Sequence, residues 1–165
     1  MPIQIRPIVD EDFSEVEPML VGIQNLHAQA RPDQFLPFHS YSYADFVQML
    51  TAGSALLALY NGCTAGYCVL KTKQFDGKDG ICTPHEVGIV ENLFVKQEYR
   101  QMGIGEALLN AARANAVKQH LHQIELKVWS FNTAAIHLYK KLGFIPKYYC
   151  MEMSLPQEKQ NNAAG

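Results

Sequence analysis

The sequence lacks any apolar run long enough to cross a bilayer, and its N-terminus carries no basic segment followed by an apolar stretch. A membrane-spanning helix needs about 20 apolar residues, and a secretory signal needs the second pattern. An excess of charge of one sign is also missing, because 14 basic residues oppose 16 acidic ones and give a formal net charge of -2. This balance gives no reason to expect nucleic acid or an anionic membrane as a partner.

Cysteine is sparse, and no two cysteines have the Cys-x-x-Cys spacing of metal or redox motifs. The four residues, Cys63, Cys68, Cys82 and Cys150, are scattered along the chain. Scattered thiols are typical of a reduced, cytoplasmic protein. Cys82 and His85 form at most half of a metal site, since no second pair follows, so we expect no bound metal.

The chain does contain an ordered series of helix and strand patterns, which suits one domain of 165 residues with a hydrophobic core. Asn61-Gly62 is a strong hairpin signal, Asp10 is the expected N-cap of the first helix, and Pro18 is a point where that helix could break. The predicted elements are a strand from Ile3 to Pro7, helices at Glu11–Ala28 and Tyr43–Thr51, paired strands at Ala55–Tyr60 and Thr64–Lys73, strands at Glu86–Val95 and Gln123–Trp129 that are each followed by a helix, a last strand at Tyr148–Leu155, and a polar, disordered tail at 156–165.

One stretch, from Val90 to Leu109, has the pattern of a strand, a tight loop and a helix, and its loop holds Arg-x-x-Gly-x-Gly from Arg100 to Gly105. The first N–H groups of a helix have no internal partner, and glycine lets an anion approach them closely. We therefore expect this loop to hold a pyrophosphate-like group. It is no nucleotide-triphosphate loop, and a dinucleotide fingerprint would need glycine at Leu108. An ordinary strand-to-helix turn is the alternative.

A second stretch, from Asn132 to Phe144, is a short helix with clear ends. Asn132 is a good N-cap, and Gly143 can adopt the left-handed conformation that ends a helix. The pattern Asn-x-x-Ala-x-x-x-Tyr-x-x-x-Gly-Phe places Tyr139 near its C-terminal end. Taken with the glycine loop, this pattern resembles the two motifs of the GNAT family of N-acetyltransferases, in the same order and at a typical distance.

The resemblance implies a fold, a co-substrate and a binding site. The fold would be α/β (α+β), with a mixed central sheet of about six to seven strands flanked by about four helices, as one domain over residues 1–155. Acetyl-CoA would be the co-substrate, without a metal. The residues implied in binding it are Leu93, Phe94, Val95, Arg100, Gln101, Met102, Gly103, Ile104, Gly105, Glu106 and Asn132.

The resemblance also suggests two residues for proton transfer. Tyr139 matches the family tyrosine that protonates the leaving thiolate, and a phenol is protonated at neutral pH. Strict alternation places Glu91 on the face of Leu93 and Val95, where apolar neighbours would raise its pKa and suit a general base. The alternatives are that Tyr139 only packs against Phe144, that Glu91 pairs with a neighbouring Lys or Arg, or that a bulge turns it outward.

The segment after the first helix mixes charged and aromatic side chains in a turn-rich connection, namely His27, Arg31, Asp33 and Phe35. In the GNAT fold this region commonly lines the acceptor pocket, so these four residues are predicted to contact the substrate. The alternative is a helix end with a hydrophobic plug, in which Arg31 and Asp33 are solvated.

One departure from the family pattern concerns the acceptor. In the ribosomal-protein Nα-acetyltransferase branch, a glutamate five residues before the motif asparagine accepts the proton, but this chain has Lys127 there, and Glu125 is out of register. We therefore predict direct acetyl transfer, in a ternary complex, to a primary amine of a small molecule. The alternatives are a protein or peptide N-acetyltransferase and a catalytically silent acyl-CoA-binding module. Homodimerisation is left open.

Overall fold

A five-stranded mixed sheet forms the centre of the computed structural model, which describes residues 2–78, 80–81 and 83–155. The strands are β1 (Ile3–Pro7), β2 (Gly53–Tyr60), β3 (Cys63–Phe75), β4 (His85–Val95) and β5 (Ile124–Leu126), in that spatial order. The helices are α1 (Phe13–Ala30), α2 (Tyr43–Thr51), α3 (Ile104–Lys118) and α4 (Thr133–Lys141). Neighbouring strands are antiparallel, except that β4 and β5 are parallel. The predicted fold class, a mixed sheet flanked by four helices, is confirmed, but the described sheet has five strands instead of the six to seven that were expected.

Each face of the sheet carries its own apolar core. The core on the α3–α4 face includes Leu56, Ala58, Cys68, Leu70, Val90, Ile104, Leu108 and Ala112. The core on the α1–α2 face includes Val16, Met19, Leu20, Phe46, Leu57, Tyr67 and Val69. Successive residues of β2 and β3 therefore point to opposite cores, as the period of a strand requires. Burying each large apolar side chain contributes about 1.5–3 kcal/mol, so the two layers hold the sheet between the helices.

Turns and helix ends follow the sequence closely. Asn61 and Gly62 form the turn between β2 and β3 with φ of 52° and 82°, which is the conformation that this dipeptide favours. Asn132 caps α4, because its side-chain oxygen accepts a hydrogen bond from the Ala135 N–H at 3.2 Å. Gly143 ends α4 with φ of 90°. These three predictions are confirmed.

The start of the first helix differs from the prediction. A 3-10 turn at Asp10–Asp12 precedes α1, and Asp12, not Asp10, closes it by accepting the Val9 N–H at 2.9 Å. Arg6 donates two further hydrogen bonds to that carboxylate, at 2.6 and 2.7 Å, and they hold the pKa of Asp12 below its usual value against the opposing effect of burial. Pro18 lies inside α1 without breaking it, because it is exposed and removes only one backbone donor near the helix start.

The C-terminal part of the sheet is smaller than predicted. The strand expected at 123–129 is limited to Ile124–Leu126, and residues 148–155 form no strand in the part of the chain that the structure describes. Their alternating side chains are exposed instead, Met151 by 91 %. Alternation is typical of a strand, but a strand also needs a neighbouring edge whose backbone groups are in register. The polar tail at 156–165 lies outside the described residues.

No helix in the described ranges is long and apolar enough to span a membrane. Cys63, Cys68 and Cys150 are free thiols, and Cys82 is outside the described residues.

The Arg6–Asp12 pair yields a stability prediction. We expect Asp12→Asn to lower the free energy of unfolding by about 1–3 kcal/mol, because a half-buried guanidinium would lose its charged partner. The folded-state pKa of Asp12 is depressed, so its contribution is present above the unfolded value of 3.8 and is lost as the pH falls through the folded value. Urea unfolding of both proteins at pH 7 and in acid should show a difference that shrinks as the pH falls.

Asp76→Asn is the matched control. Asp76 pairs with Lys78 at 2.8 Å, but both side chains are mostly exposed, so we expect no measurable change in the free energy of unfolding. Equal losses of unfolding free energy in Asp12→Asn and Asp76→Asn would show that the Arg6–Asp12 pair stabilises the fold no more than an exposed ion pair does.

Candidate active site

β4 and β5 lie side by side over only part of their length. Their last paired residues are Val90 and Leu126. β4 then continues to Val95, paired with β3 alone among the described residues. Backbone groups of residues 91–95 that face away from β3 therefore lack a ladder partner, and such groups need one. We call the opening between residues 91–95 and the chain beyond Leu126 the strand gap.

The glycine loop follows directly from the strand gap. α3 begins at Ile104, and its N-cap, Gly103, has φ of 83° and supplies no side-chain cap. Gln101 is also left-handed, with φ of 64°. Arg100 Nε donates to the Val95 carbonyl oxygen at 3.2 Å, which holds the loop against the end of β4. The first N–H groups of α3 are thus free of any side-chain cap, as an anion site requires.

Gly105 allows α3 and α4 to approach each other closely. A Cβ there would lie 3.0 Å from Leu138 Cδ2 of α4. In the next position, Glu106 pairs with Lys141 at 2.6 Å and joins the first turn of α3 to the last turn of α4. The Ile104 side chain is buried in the core. Of these predicted cofactor contacts, Ile104 can therefore offer only backbone, and the Glu106 carboxylate already has a protein partner.

Tyr139 lies half-buried on the α3–α4 face. Its ring meets Phe144 edge-on, with 5.8 Å between the centroids, so the packing role that the sequence suggested is present. Burial raises the pKa of Tyr139 to about 12, with a smaller contribution from Cys68. The phenol is therefore protonated at neutral pH and can donate a proton. Cys68 is the ladder partner of Leu93, so Tyr139 lies close to the strand gap.

Glu91 does not have the predicted surroundings. The ladder between β3 and β4 passes from Val90 to Asn92 and leaves Glu91 as the extra residue of a bulge. Leu93 and Val95 pack on the α3–α4 core, whereas Glu91 lies under α2 on the other face. The prediction that the three share an apolar face is wrong, because the bulge interrupts the alternation. Tyr139 and Glu91 consequently lie on opposite faces of the sheet.

Glu91 lines a cavity of about 170 Å³ that we call the polar cleft. The Lys71 ammonium donates to Glu91 Oε2 at 2.6 Å, and the two side chains are 33 % and 44 % exposed. The ion pair and the bulge, which the sequence left as alternatives, therefore occur together. The lining residues are Tyr41, Asp45, Gln48, Met49, Lys71, Glu91 and Asn92.

The loop predicted to line an acceptor pocket is organised around Arg31. The guanidinium donates to Asp33 at 2.7 and 2.9 Å and to Glu152 at 2.7 and 2.9 Å. It also lies 5.4 Å from the centre of the Trp129 ring, which Phe35 meets edge-on at 5.6 Å. Arg31 is thus engaged by protein groups instead of solvated, and it joins the end of α1 to the chain beyond β5 and to the C-terminal segment.

His27 completes this cluster. Its ring lies 5.4 Å from that of Phe35, and burial lowers its pKa, so the neutral imidazole is favoured. Sequence reasoning missed Lys71, Tyr41, Trp129 and Glu152, whose partners are distant along the chain. The only local signal was Lys71, a charge directly after the buried run of β3.

A larger groove, of about 310 Å³, lies along the C-terminal half of α3 and is lined by Asn110, Arg113, Gln123 and Phe144, among others. None of the predicted site residues line it. Within the described ranges, no group of three or more His, Cys, Asp or Glu side chains is arranged to hold a metal ion.

Comparison with known proteins identifies the family. Residues 20–144 match the acetyltransferase (GNAT) family. The chain belongs to this family. A solved structure with the same fold is that of a mutant BH1408 protein from Bacillus halodurans, with a TM-score of 0.85 and 22 % identity over 93 % of this chain and 99 % of the other. Its likeness concerns the fold alone.

Two curated relatives are similar to parts of the chain. An N-alpha-acetyltransferase of Sulfurisphaera tokodaii is 34 % identical over 110 residues, which are 64 % of this chain and 65 % of the relative. An L-ornithine N5-acetyltransferase of Arabidopsis thaliana is 35 % identical over 54 residues, which are 33 % of this chain and 24 % of the relative. The matches therefore span less than two thirds of either relative.

GNAT enzymes use acetyl-CoA, and two features of this structure fit that molecule. The uncapped first turn of α3 suits its pyrophosphate, and the unpaired edge of β4 suits an extended arm that can form hydrogen bonds with a strand. Gln101 and Met102 are exposed beside the first feature. The Asn132 oxygen is already used as a helix cap, although its amide N–H groups remain available.

Two glycine variants separate strain from anion binding. Gly103 and Gly62 have nearly the same φ, 83° and 82°, so we expect Gly103→Ala and Gly62→Ala each to lose about 1–2 kcal/mol of stability. Only Gly103→Ala should also weaken acetyl-CoA binding, by about tenfold, since its loop carries the anion site. Calorimetric titration of both folded variants would measure this. Equal affinity in the two would exclude the loop as the binding site.

Proposed function

We propose that the chain is an acetyl-CoA-dependent N-acetyltransferase that moves the acetyl group directly to a primary amine of a small molecule. The observation that carries this proposal is the strand gap, with the glycine loop at its end, Tyr139 on one face and the polar cleft on the other. Donor and acceptor could meet there from opposite sides of the sheet. Positioning two reactants in this way can remove several kcal/mol of the barrier.

Three groups have roles in the proposed transfer. Successive N–H groups of a strand point to opposite sides, so only those of Leu93, Phe94 and Val95 that face away from β3 enter the strand gap. They are fixed before reaction and can stabilise negative charge on the acetyl oxygen. The amine nitrogen bonds to the acetyl carbon, the carbon–sulfur bond breaks, and Tyr139 gives its phenolic proton to the sulfur. The raised pKa of Tyr139 favours the protonated form that this step needs.

Glu91 is the proposed acceptor of the amine proton, through water. It is the first residue of β4 beyond the ladder with β5, and its side chain faces the polar cleft. Lys71 engages Oε2, so Oε1 can accept a proton.

The small cleft supports a small acceptor, and so does the similarity to an L-ornithine N5-acetyltransferase. The similarity to an N-alpha-acetyltransferase supports the peptide alternative. Against that alternative, Lys127 occupies the position of the branch glutamate and Glu125 is paired with Lys147. A silent acyl-CoA-binding module would retain the glycine loop without needing a proton donor at Tyr139.

The test is acetyl-CoA-dependent thiol release with polyamines, amino acids, aminoglycosides and short peptides as acceptors. Turnover with small amines supports the proposal. Turnover with peptides alone would favour the alternative, and acetyl-CoA binding without any turnover would favour the silent module.

The role of Tyr139 can be separated from its packing. We expect Tyr139→Phe to lower kcat by about 10²- to 10⁴-fold, because the proton donor is lost while the ring contact with Phe144 is kept. The dissociation constant of acetyl-CoA should change little. Tyr149→Phe, at an exposed position, is the control and should leave both quantities unchanged. Equal losses of turnover and affinity in Tyr139→Phe would remove the general-acid role.

A further inference from the structure

The polar cleft contains more hydrogen-bonding capacity than the protein itself uses. Lys71 has three N–H donors, and the structure gives it one acceptor, Glu91. Ser42 Oγ donates to Asp45 Oδ2 at 2.6 Å. The other carboxylate oxygen, Oδ1, accepts no hydrogen bond from the described residues. No hydrogen bond joins the side chains of Gln48 and Asn92 to other described residues. Convergent polar groups in a small cavity are typical of a site for a polar ligand.

A buried phenol adds a second, independent observation. Tyr67 is fully buried on the α1–α2 face, and its hydroxyl has no hydrogen-bond partner among the described residues. Such a group lowers stability unless something satisfies it. Burial raises the pKa of Tyr67, and the neighbouring phenol of Tyr41, which lines the polar cleft, adds to that shift. Tyr67 and Tyr41 both pack on the α1–α2 core, so this hydroxyl lies on the same side of the sheet as the polar cleft.

The charges in the cleft define the kind of ligand. Its charged lining groups are the carboxylates of Asp45 and Glu91 and the ammonium of Lys71. A ligand with two ammonium groups and one carboxylate is the complement of this set. Basic amino acids have that composition at neutral pH. A polyamine or an aminoglycoside has no carboxylate, so it would leave the two remaining N–H donors of Lys71 without an acceptor and would be repelled by the ammonium.

We propose that the polar cleft binds the α-carboxylate and α-ammonium of a basic amino acid, whose side-chain amine then receives the acetyl group. Lys71 holds the carboxylate with the N–H donors that Glu91 does not use, and Asp45 accepts a hydrogen bond from the α-ammonium. Glu91 Oε1 stays available for the proton of the side-chain amine. This inference rests on the proposed function and names its substrate class.

The distance along β4 agrees with this arrangement. Glu91 lies at the cleft, and Phe94 lies three residues further along the strand gap. At a strand rise of about 3.3 Å per residue, the two are on the order of 10 Å apart. The extended side chain of a basic amino acid carries its amine about halfway along that distance toward the acetyl group. The α-amine of an amino acid held by its head group stays in the cleft.

Three acceptors with the same terminal amine test the proposal. L-ornithine has both head-group charges, 5-aminopentanoate lacks the α-ammonium, and putrescine lacks the carboxylate. We expect Lys71→Met to lower kcat/KM for L-ornithine and for 5-aminopentanoate about 10- to 100-fold more than for putrescine. Loss of the Lys71 contact to Glu91 affects all three acceptors alike, so it cancels in the ratio.

Lys73→Met is the matched control. Lys73 is on the same strand, two residues further, and its ammonium lies over the Phe75 ring at 4.8 Å, outside the cleft. Lys73→Met should leave the kcat/KM for L-ornithine, relative to that for putrescine, at the wild-type level. A ratio unchanged in Lys71→Met, or changed equally in both variants, overturns the proposal.

A binding measurement distinguishes failure of this inference from failure of the proposed function. L-norvaline carries the head group of L-ornithine without the side-chain amine. Calorimetric titration should detect its binding to the wild-type protein and a loss of about tenfold or more in affinity in Lys71→Met only. Such binding without acetylation of any amine would keep the cleft assignment and remove the proposed reaction. Acetylation of other amines without binding of L-norvaline would keep the proposed reaction and overturn the cleft assignment.

Discussion

The parallel ladder between β4 and β5 ends at Val90 and Leu126, and the candidate site depends on that early end. Beyond it, β4 keeps β3 as a partner on one side only, so backbone groups on the other side are available. The same strand leads directly into the glycine loop and the uncapped first turn of α3. The interruption of backbone pairing therefore leaves an unpaired strand edge directly before the uncapped start of a helix, and the proposed cofactor site uses both.

The two faces of the sheet have different chemistry around this interruption. On the α3–α4 face Tyr139 is half-buried against apolar neighbours, and its proton is retained at neutral pH. On the α1–α2 face the bulge at Glu91 opens the polar cleft beside α2. An apolar face with a protonated phenol suits a leaving thiolate, and a charged face suits an amine that arrives as a cation. The separation of the proposed acid and base is thus a consequence of how β4 is paired.

The sequence predicted what short segments decide by themselves. The turn at Asn61-Gly62, the cap at Asn132 and the left-handed Gly143 depend on neighbours within a few residues. The bulge at Glu91 depends on the register of β3, which no local pattern reveals. Arg31 and Glu152 are 121 positions apart, so the cluster that they form was equally hidden. Local signals therefore predicted the turn and the helix ends, whereas the register between β3 and β4 decided the surroundings of Glu91.

The most direct test of this site is a titration of the ¹⁵N-labelled protein with CoA, followed by amide chemical shifts. If the cofactor occupies the strand gap and the glycine loop, the largest shifts will be those of residues 93–95 and 103–106. Shifts concentrated instead at Asn110, Arg113 and Gln123 would place the ligand in the larger groove along α3 and would contradict the assignment of the site.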